Sequence, residues 1–140
     1  MGTRIMRYLD WEKRLVDVIE RHQNQPFLLG TLDCCQFARN CLVALSIENI
    51  PEIPNYNSLR DALSVLRELG GISGVAQYLT GKQSVSVLKA KRGDLLMIKS
   101  DDPVFNYQAL AICVGNVALA TGKNGPVPVN RDKWLKCWEI

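Results

Sequence analysis

The hydrophobic period of the chain changes once, at Gly81, and this change limits the fold more than any other feature of the sequence. Before Gly81, apolar residues recur at the three- and four-residue spacing of helices. After it, they fall in the alternating or continuous runs of strands. A block of helices followed by a block of strands specifies an α+β domain, with N-terminal helices packed on an antiparallel sheet.

Within the helical block, a first helix is predicted over Asp10 to His22, with Asp10 as N-cap. Trp11, Leu15, Val18, Ile19 and His22 share one face of it, and Gln25-Pro26 closes it. A loop over 27–32 leads to a second helix. Asp33 caps that helix, with Gln36 at the third helical position, an aspartate form of the capping box. Cys34, Phe37, Ala38, Cys41, Leu42 and Leu45 then form an unbroken apolar stripe, which makes this helix central. A third helix starts at Ser58, with Asp61 three residues on, and stops at Gly70-Gly71; a short helical segment over Ser73 to Leu79 is closed by Gly81.

In the strand block, Val85, Val87, Leu95, Met97, Ile112 and Val114 lie in β-type runs, and Gly93-Asp94 and Gly115-Asn116 mark turns. Gly122, Gly125-Pro126 and Pro128 are further turn signals, and Trp134 to Ile140 reads as a last strand. A sheet of about four to six strands is expected.

With 140 residues, the chain reads as one domain over 1–140. Its 47% hydrophobic and 22% charged content excludes disordered and low-complexity classes, and its net charge of +3 is too small to call for nucleic acid. No apolar run approaches the roughly 18–20 residues of a membrane span. Residues 1–6 show neither a secretory leader nor a myristoylation pattern, so the expectation is a protein made in a reducing cytoplasm without membrane insertion. Five cysteines and a single histidine are the unusual counts.

The chemistry centres on Asp33-Cys34-Cys35-Gln36. A thiol in the first turn of a helix faces unpaired backbone N–H groups and the positive end of the helix dipole. Both favour thiolate and make Cys34 a candidate nucleophile. The period of 3.6 turns Cys35 about 100° away. The bland reading is that both are small core fillers, as free cysteines often are.

Gly30-x-x-Asp33-Cys34 opening a helix, then Arg92-Gly93-Asp94-Leu95-Leu96, then Ala109-Leu110-Ala111-Ile112-Cys113-Val114-Gly115, resemble in order and spacing the three motifs of NlpC-type cysteine peptidases. These are papain-like enzymes that cut the stem peptides of peptidoglycan. Pro26-Phe27, the run Asp33 to Ala38, the Trp-containing first helix and Trp138 are similar to a small NlpC-like group encoded in phage tail gene clusters. The resemblance implies a papain-like fold, Cys34 as nucleophile with Asp33 beside it, and no cofactor or metal.

The departures from the pattern fall on the catalytic positions. The family's general base is the histidine that opens the third motif, and Ala109 stands there. The third polar group lies on the next strand, where Val117 to Thr121 offers only Thr121. Loss of a general base costs about 100–10,000-fold in rate. His22, at the end of the first helix, reads either as a helix-end histidine at the core edge or as a displaced base. Gln36, Tyr107 and Gln108 are candidate cleft residues; glutamine is no base, and tyrosine would need a strongly lowered pKa.

The first functional reading is therefore a bacteriophage tail-tip or tail-assembly component on a degenerate peptidase scaffold, with other tail proteins as partners and the virion tail as location. The alternative is an active peptidoglycan amidase or endopeptidase with Cys34 as nucleophile and a non-standard base. A third is a module that binds peptidoglycan or partner peptides without cutting them. Zinc is not expected, because adjacent Cys34 and Cys35 make a poor chelate. Arg92-Gly93-Asp94 reads as a turn into a strand, and Lys82, Lys89, Lys91, Arg92 and Lys99 as a solvated face. Trp11, Trp134 and Trp138 read as core or interface anchors, with an exposed Trp138 as a point for pinning a neighbour.

Overall fold

A computed structural model describes residues 6–25, 28–29 and 33–140. Four helices precede five strands: α1 (Trp11–His22), α2 (Cys34–Leu45), α3 (Leu59–Leu69), α4 (Gly71–Thr80), β1 (Leu95–Lys99), β2 (Gln108–Cys113), β3 (Ala118–Gly122), β4 (Gly125–Val129) and β5 (Trp134–Trp138). The strands form one antiparallel sheet in the order β4-β3-β2-β1-β5. This is the α+β architecture that the change of period at Gly81 predicts.

The caps explain most helix ends. The Asp33 carboxylate accepts from Gln36 N at 2.9 Å, and Ser58 Oγ from Asp61 N at 3.1 Å. Gly70 and Gly81 close α3 and α4 with φ of 95° and 68°, where a side chain would be strained. Asp10 corrects the reading of the first helix. It stands at the N-cap position, yet its carboxylate makes no cap bond and instead accepts from Arg14 Nε at 2.7 Å, one turn on. A charged acceptor–donor pair has displaced the weaker cap. The calls on Pro26, Phe27 and Gly30 lie outside the described residues.

Two further expectations change. Val85 and Val87 begin no strand: Val85 makes an isolated bridge with Cys137, and 87–89 form a single 3-10 turn. β4, whose prolines read as turn signals, is a strand at the sheet edge. An edge strand needs hydrogen bonds on one side only, so Pro126 and Pro128 are tolerated there.

The sheet has two buried faces. Leu95, Met97, Leu110 and Ile112 face the helices and join Phe37, Ala38, Cys41 and Leu42 of α2 in the main core. Leu96, Ile98, Ala111, Cys113 and Cys137 face the other way into a second, smaller cluster. Every member of the predicted α2 stripe is buried. Trp138 is also buried, at 1% exposure, so it is a core residue and not a surface anchor. β5 lies between β1 and the Val85 bridge, which leaves its Trp138 ring inside the main core.

The second motif is architectural. Gly93 adopts φ 92°, and a Cβ there would lie 2.7 Å from Arg7 Nη1. Asp94 is fully buried and accepts from Lys91 N at 2.9 Å, Ile140 N at 3.0 Å and Arg7 Nη2 at 3.3 Å. Arg7 also donates to Ile140 O at 2.6 Å and lies 4.2 Å from the Trp11 ring centroid. Gly93-Asp94 thus clamps the two ends of the described chain to the start of β1.

Candidate active site

Capping by Asp33 sets Cys34 in the first turn of α2, and packing of α2 against β2 presses that turn onto the strand. The Leu110 N–H points at the Cys34 sulfur. Cys35 is closer than the helical period implies. Its Sγ lies 4.0 Å from Cys34 Sγ, and both residues are 7% exposed. Ile53 and Tyr56, from the α2–α3 connection, wall the same cavity as Cys35, so the side of α2 that Cys35 faces is covered as well.

The two thiols are driven apart in acidity. Cys34 is shifted below the ordinary thiol value, chiefly because the Cys35 thiol donates to it, with the N–H groups of Leu110 and Cys35 adding to this against burial and the Asp33 charge. Cys35 is shifted well above that value because it is the donor, is buried and has the Cys34 and Asp33 charges beside it. Cys34 is the member that ionises first, because Leu110 N–H donates to its sulfur alone.

A small cavity of about 20 Å³ adjoins the pair, enough for roughly one water. Its polar edge is Asp33, Cys34, Cys35 and Tyr56, and the rest of its wall is apolar. Tyr56 Oη donates to the second Asp33 oxygen. Burial, then the Asp33 hydrogen bond, push the Tyr56 phenol well above its usual range, so it serves as a donor and not as a base. Sequence reasoning missed Tyr56. It is 23 residues from Asp33, and nothing in the local pattern marks it.

The remaining candidates are dispersed. Gln36 is half-buried beside the Tyr56 phenol, to which its side chain donates. Gln108 lines a neighbouring groove with Phe105 and Asn106. Tyr107 is 53% exposed and lines neither hollow. Thr121 sits on β3 two residues beyond Leu119, which pairs with Ile112, and is not in the cavity wall. Ala109 pairs with Ile98 and packs at the edge of both the main core and the second cluster. Strand alternation points its Cβ to the side of the second cluster and positions 108 and 110 to the α2 side, so a side chain at 109 is not aimed at Cys34 as the motif comparison expects of a base.

The only histidine is committed elsewhere. His22 Nδ1 lies 2.9 Å from Val18 O and Nε2 lies 3.3 Å from Asn40 Nδ2, with the ring edge-on to Phe37 at 5.3 Å. Donation from Nδ1–H and acceptance at Nε2 satisfy both nitrogens. Asn40 is six residues along α2 from Cys34, about 9 Å at 1.5 Å per residue. Among the described residues, no three His, Cys, Asp or Glu side chains are grouped to hold a metal ion. Nor is any described helix long and apolar enough to cross a membrane.

Comparison with known proteins places this geometry. A family described as a domain of unknown function, DUF6950, matches residues 6–140. The chain belongs to the DUF6950 family. No curated protein matches its sequence significantly. Among solved structures, the DUF6950 chain is similar to a Staphylococcus aureus subsp. aureus Mu50 protein described as similar to a lipoprotein of the NLP/P60 family. The TM-score is 0.60 at 16% identity, over 100% of this chain and 44% of that one. The DUF6950 domain therefore has the papain-like NlpC fold that its three motifs predict, and it spans less than half the length of that neighbour.

Proposed function

We propose that this DUF6950 domain is an NlpC-type scaffold that keeps the nucleophile position but lacks general-base catalysis, and that it serves as a structural component of a bacteriophage tail. One observation carries the first half: the single histidine of the chain is held by both ring nitrogens, away from the cavity at Cys34. Acyl transfer to a thiol needs a group to take its proton and return it to the leaving amine. Among the described residues beside Cys34, Tyr56 is a donor and Cys35 holds its proton more tightly. Both Asp33 oxygens already accept hydrogen bonds. The tail assignment is supported by the similarity of the motif set to NlpC-like proteins of phage tail gene clusters. Purified protein should release no peptide from peptidoglycan fragments, and Cys34→Ala should leave incorporation into tails unchanged. Cleavage that disappears in Cys34→Ala would overturn the reading.

One observation favours the enzymatic alternative: the lowered Cys34 thiol at a helix N-terminus. A peptidoglycan amidase or endopeptidase with a non-standard base would alkylate with iodoacetamide at neutral pH faster than a free thiol. The scaffold reading expects slower alkylation, because Cys34 is 7% exposed.

A further inference from the structure

Cys34 and Cys35 are neighbours in sequence, and their sulfurs are neighbours as well, 4.0 Å apart with the Cys35 thiol donating. Both residues line the same cavity, which has room for roughly one water. A neutral oxidant of two oxygen atoms suits that space better than a bulky alkylating agent does. The other three cysteines are placed differently. Cys41 is held by burial alone, Cys113 donates to Gly115 O at 3.5 Å, and Cys137 donates to the Asp94 carboxylate at 3.9 Å.

The two thiols are prepared for different steps. Leu110 N–H donates to the Cys34 sulfur, which makes it the nucleophile of the pair. Cys35 holds its proton because it donates it to Cys34, because it is buried, and because charges lie at Cys34 and Asp33. Oxidation of Cys34 removes its charge and its acceptor sulfur, so the first cause and part of the third disappear and Cys35 is freed to react. A disulfide then needs the sulfurs to close to about 2.05 Å. The Cα atoms of consecutive residues are about 3.8 Å apart, below the usual disulfide span of about 4.4–6.8 Å, so the first turn of α2 must give way. That turn has little to lose, because the opening N–H groups of a helix have no acceptor within it. A disulfide closed on so short a span is easily reduced.

We propose that Cys34 and Cys35 form a reversible oxidation site, at which a small hydroperoxide is reduced and the two residues are joined in a disulfide. The Cys34 thiolate attacks one peroxide oxygen. The S–O bond forms, the O–O bond breaks, and the departing oxygen takes the proton that Cys34 released, leaving as water or an alcohol. The Cys35 sulfur then attacks the Cys34 sulfur. The S–S bond forms, the S–O bond breaks, and hydroxide leaves as water with the Cys35 proton. Two electrons pass from the thiols to the peroxide, and an external thiol such as glutathione returns them. The site needs neither an imidazole nor a peptide substrate, so it stands or falls apart from the scaffold reading.

The test is mass spectrometry of the folded protein after brief exposure to hydrogen peroxide at neutral pH, with free thiols blocked by N-ethylmaleimide before trypsin digestion. The tryptic peptide from His22 to Arg39 carries both residues and no other cysteine. It should take up no maleimide, weigh about 2 Da less than the reduced peptide, and regain both thiols in millimolar glutathione. Its oxidation should be at least about tenfold faster in the folded protein than in the urea-unfolded chain. Cys35→Ala should stop at a sulfenic acid on Cys34, about 16 Da heavier and trapped by dimedone, and Cys34→Ala should leave Cys35 reduced. The parent protein gives the deciding readout if either variant fails to fold. A His22–Arg39 peptide that stays reduced, oxidation as fast in the unfolded chain, or disulfides shared with Cys41, Cys113 or Cys137 would overturn the proposal.

Discussion

Replacing Asp94 by alanine should lower the melting temperature of the domain by about 13 °C. The carboxylate is fully buried and accepts from two backbone N–H groups, of Lys91 and Ile140, and from the Arg7 guanidinium. Removing one partner of a buried ion pair costs about 3–5 kcal/mol, because the other partner and its hydrogen-bonding neighbours stay desolvated. Arg7 keeps Ile140 O, Arg92 O and the Trp11 ring, and its side chain is 14% exposed, so the cost falls near the middle, about 4 kcal/mol. A domain of 140 residues has an unfolding entropy of about 0.3 kcal/mol/K, which converts that loss into the expected shift. The assay is thermal unfolding followed by circular dichroism, with a urea titration to show an unchanged slope. Arg92→Ala is the internal control. It removes the neighbour in the same tripeptide, whose exposed pair with Glu12 is worth at most about 1 kcal/mol. An Asp94→Ala melting temperature within about 3 °C of the parent, under 1 kcal/mol, would refute the clamp and return Arg92-Gly93-Asp94 to the surface.

Three other outcomes follow from the site. Ala109→His should leave the alkylation rate of Cys34 within about twofold of the parent, because the strand register turns position 109 away from α2; a tenfold rise would refute that register argument. Cys35→Ala removes the thiol that donates to Cys34, so the pH profile of Cys34 alkylation, followed by mass spectrometry, should move to higher pH; an unchanged profile would show that the backbone donors alone hold the thiolate. Burial raises the Cys41 thiol above its ordinary value of 9.0, so above about pH 9 the unfolded chain loses that proton while the folded chain keeps it. Cys41 thus stabilises fully below the unfolded value, and stability falls as pH rises beyond it by about 1.4 kcal/mol per pH unit. Urea midpoints of Cys41→Ala between pH 8 and 10.5 should therefore decline less steeply than those of the parent, and parallel declines would refute the linkage.

The parts of the fold legible in the sequence are those set by short-range chemistry. Asp33 with Gln36, and Ser58 with Asp61, are separated by three residues, and glycine at 70 and 81 needs no partner to adopt positive φ. The bare Asp10 cap and the strand at β4 escape the local pattern for a shared reason. Each depends on a competitor or neighbour that a local pattern does not weigh. Arg14 offers Asp10 a charged donor, and the sheet edge offers Pro126 and Pro128 a side with no hydrogen bonds to make. Of the two readings of Trp138 the core one holds, and the exposed one fails because burial of a strand's faces depends on what packs against the sheet, which a local pattern does not carry.

The site divides along the same line. The placement of Cys34 follows from one cap and one amphipathic stripe, and the scarcity of imidazole from a count of one histidine. Its surroundings follow from neither. Tyr56 reaches Asp33 from 23 residues away, Leu110 N–H meets the sulfur from β2, and Phe105 closes the cavity from a loop whose strain only coordinates reveal. The nucleophile of a papain-like scaffold also caps the core at a helix start, where burial and N–H donors stabilise the fold with or without chemistry. Cys34 can therefore be kept for its packing alone.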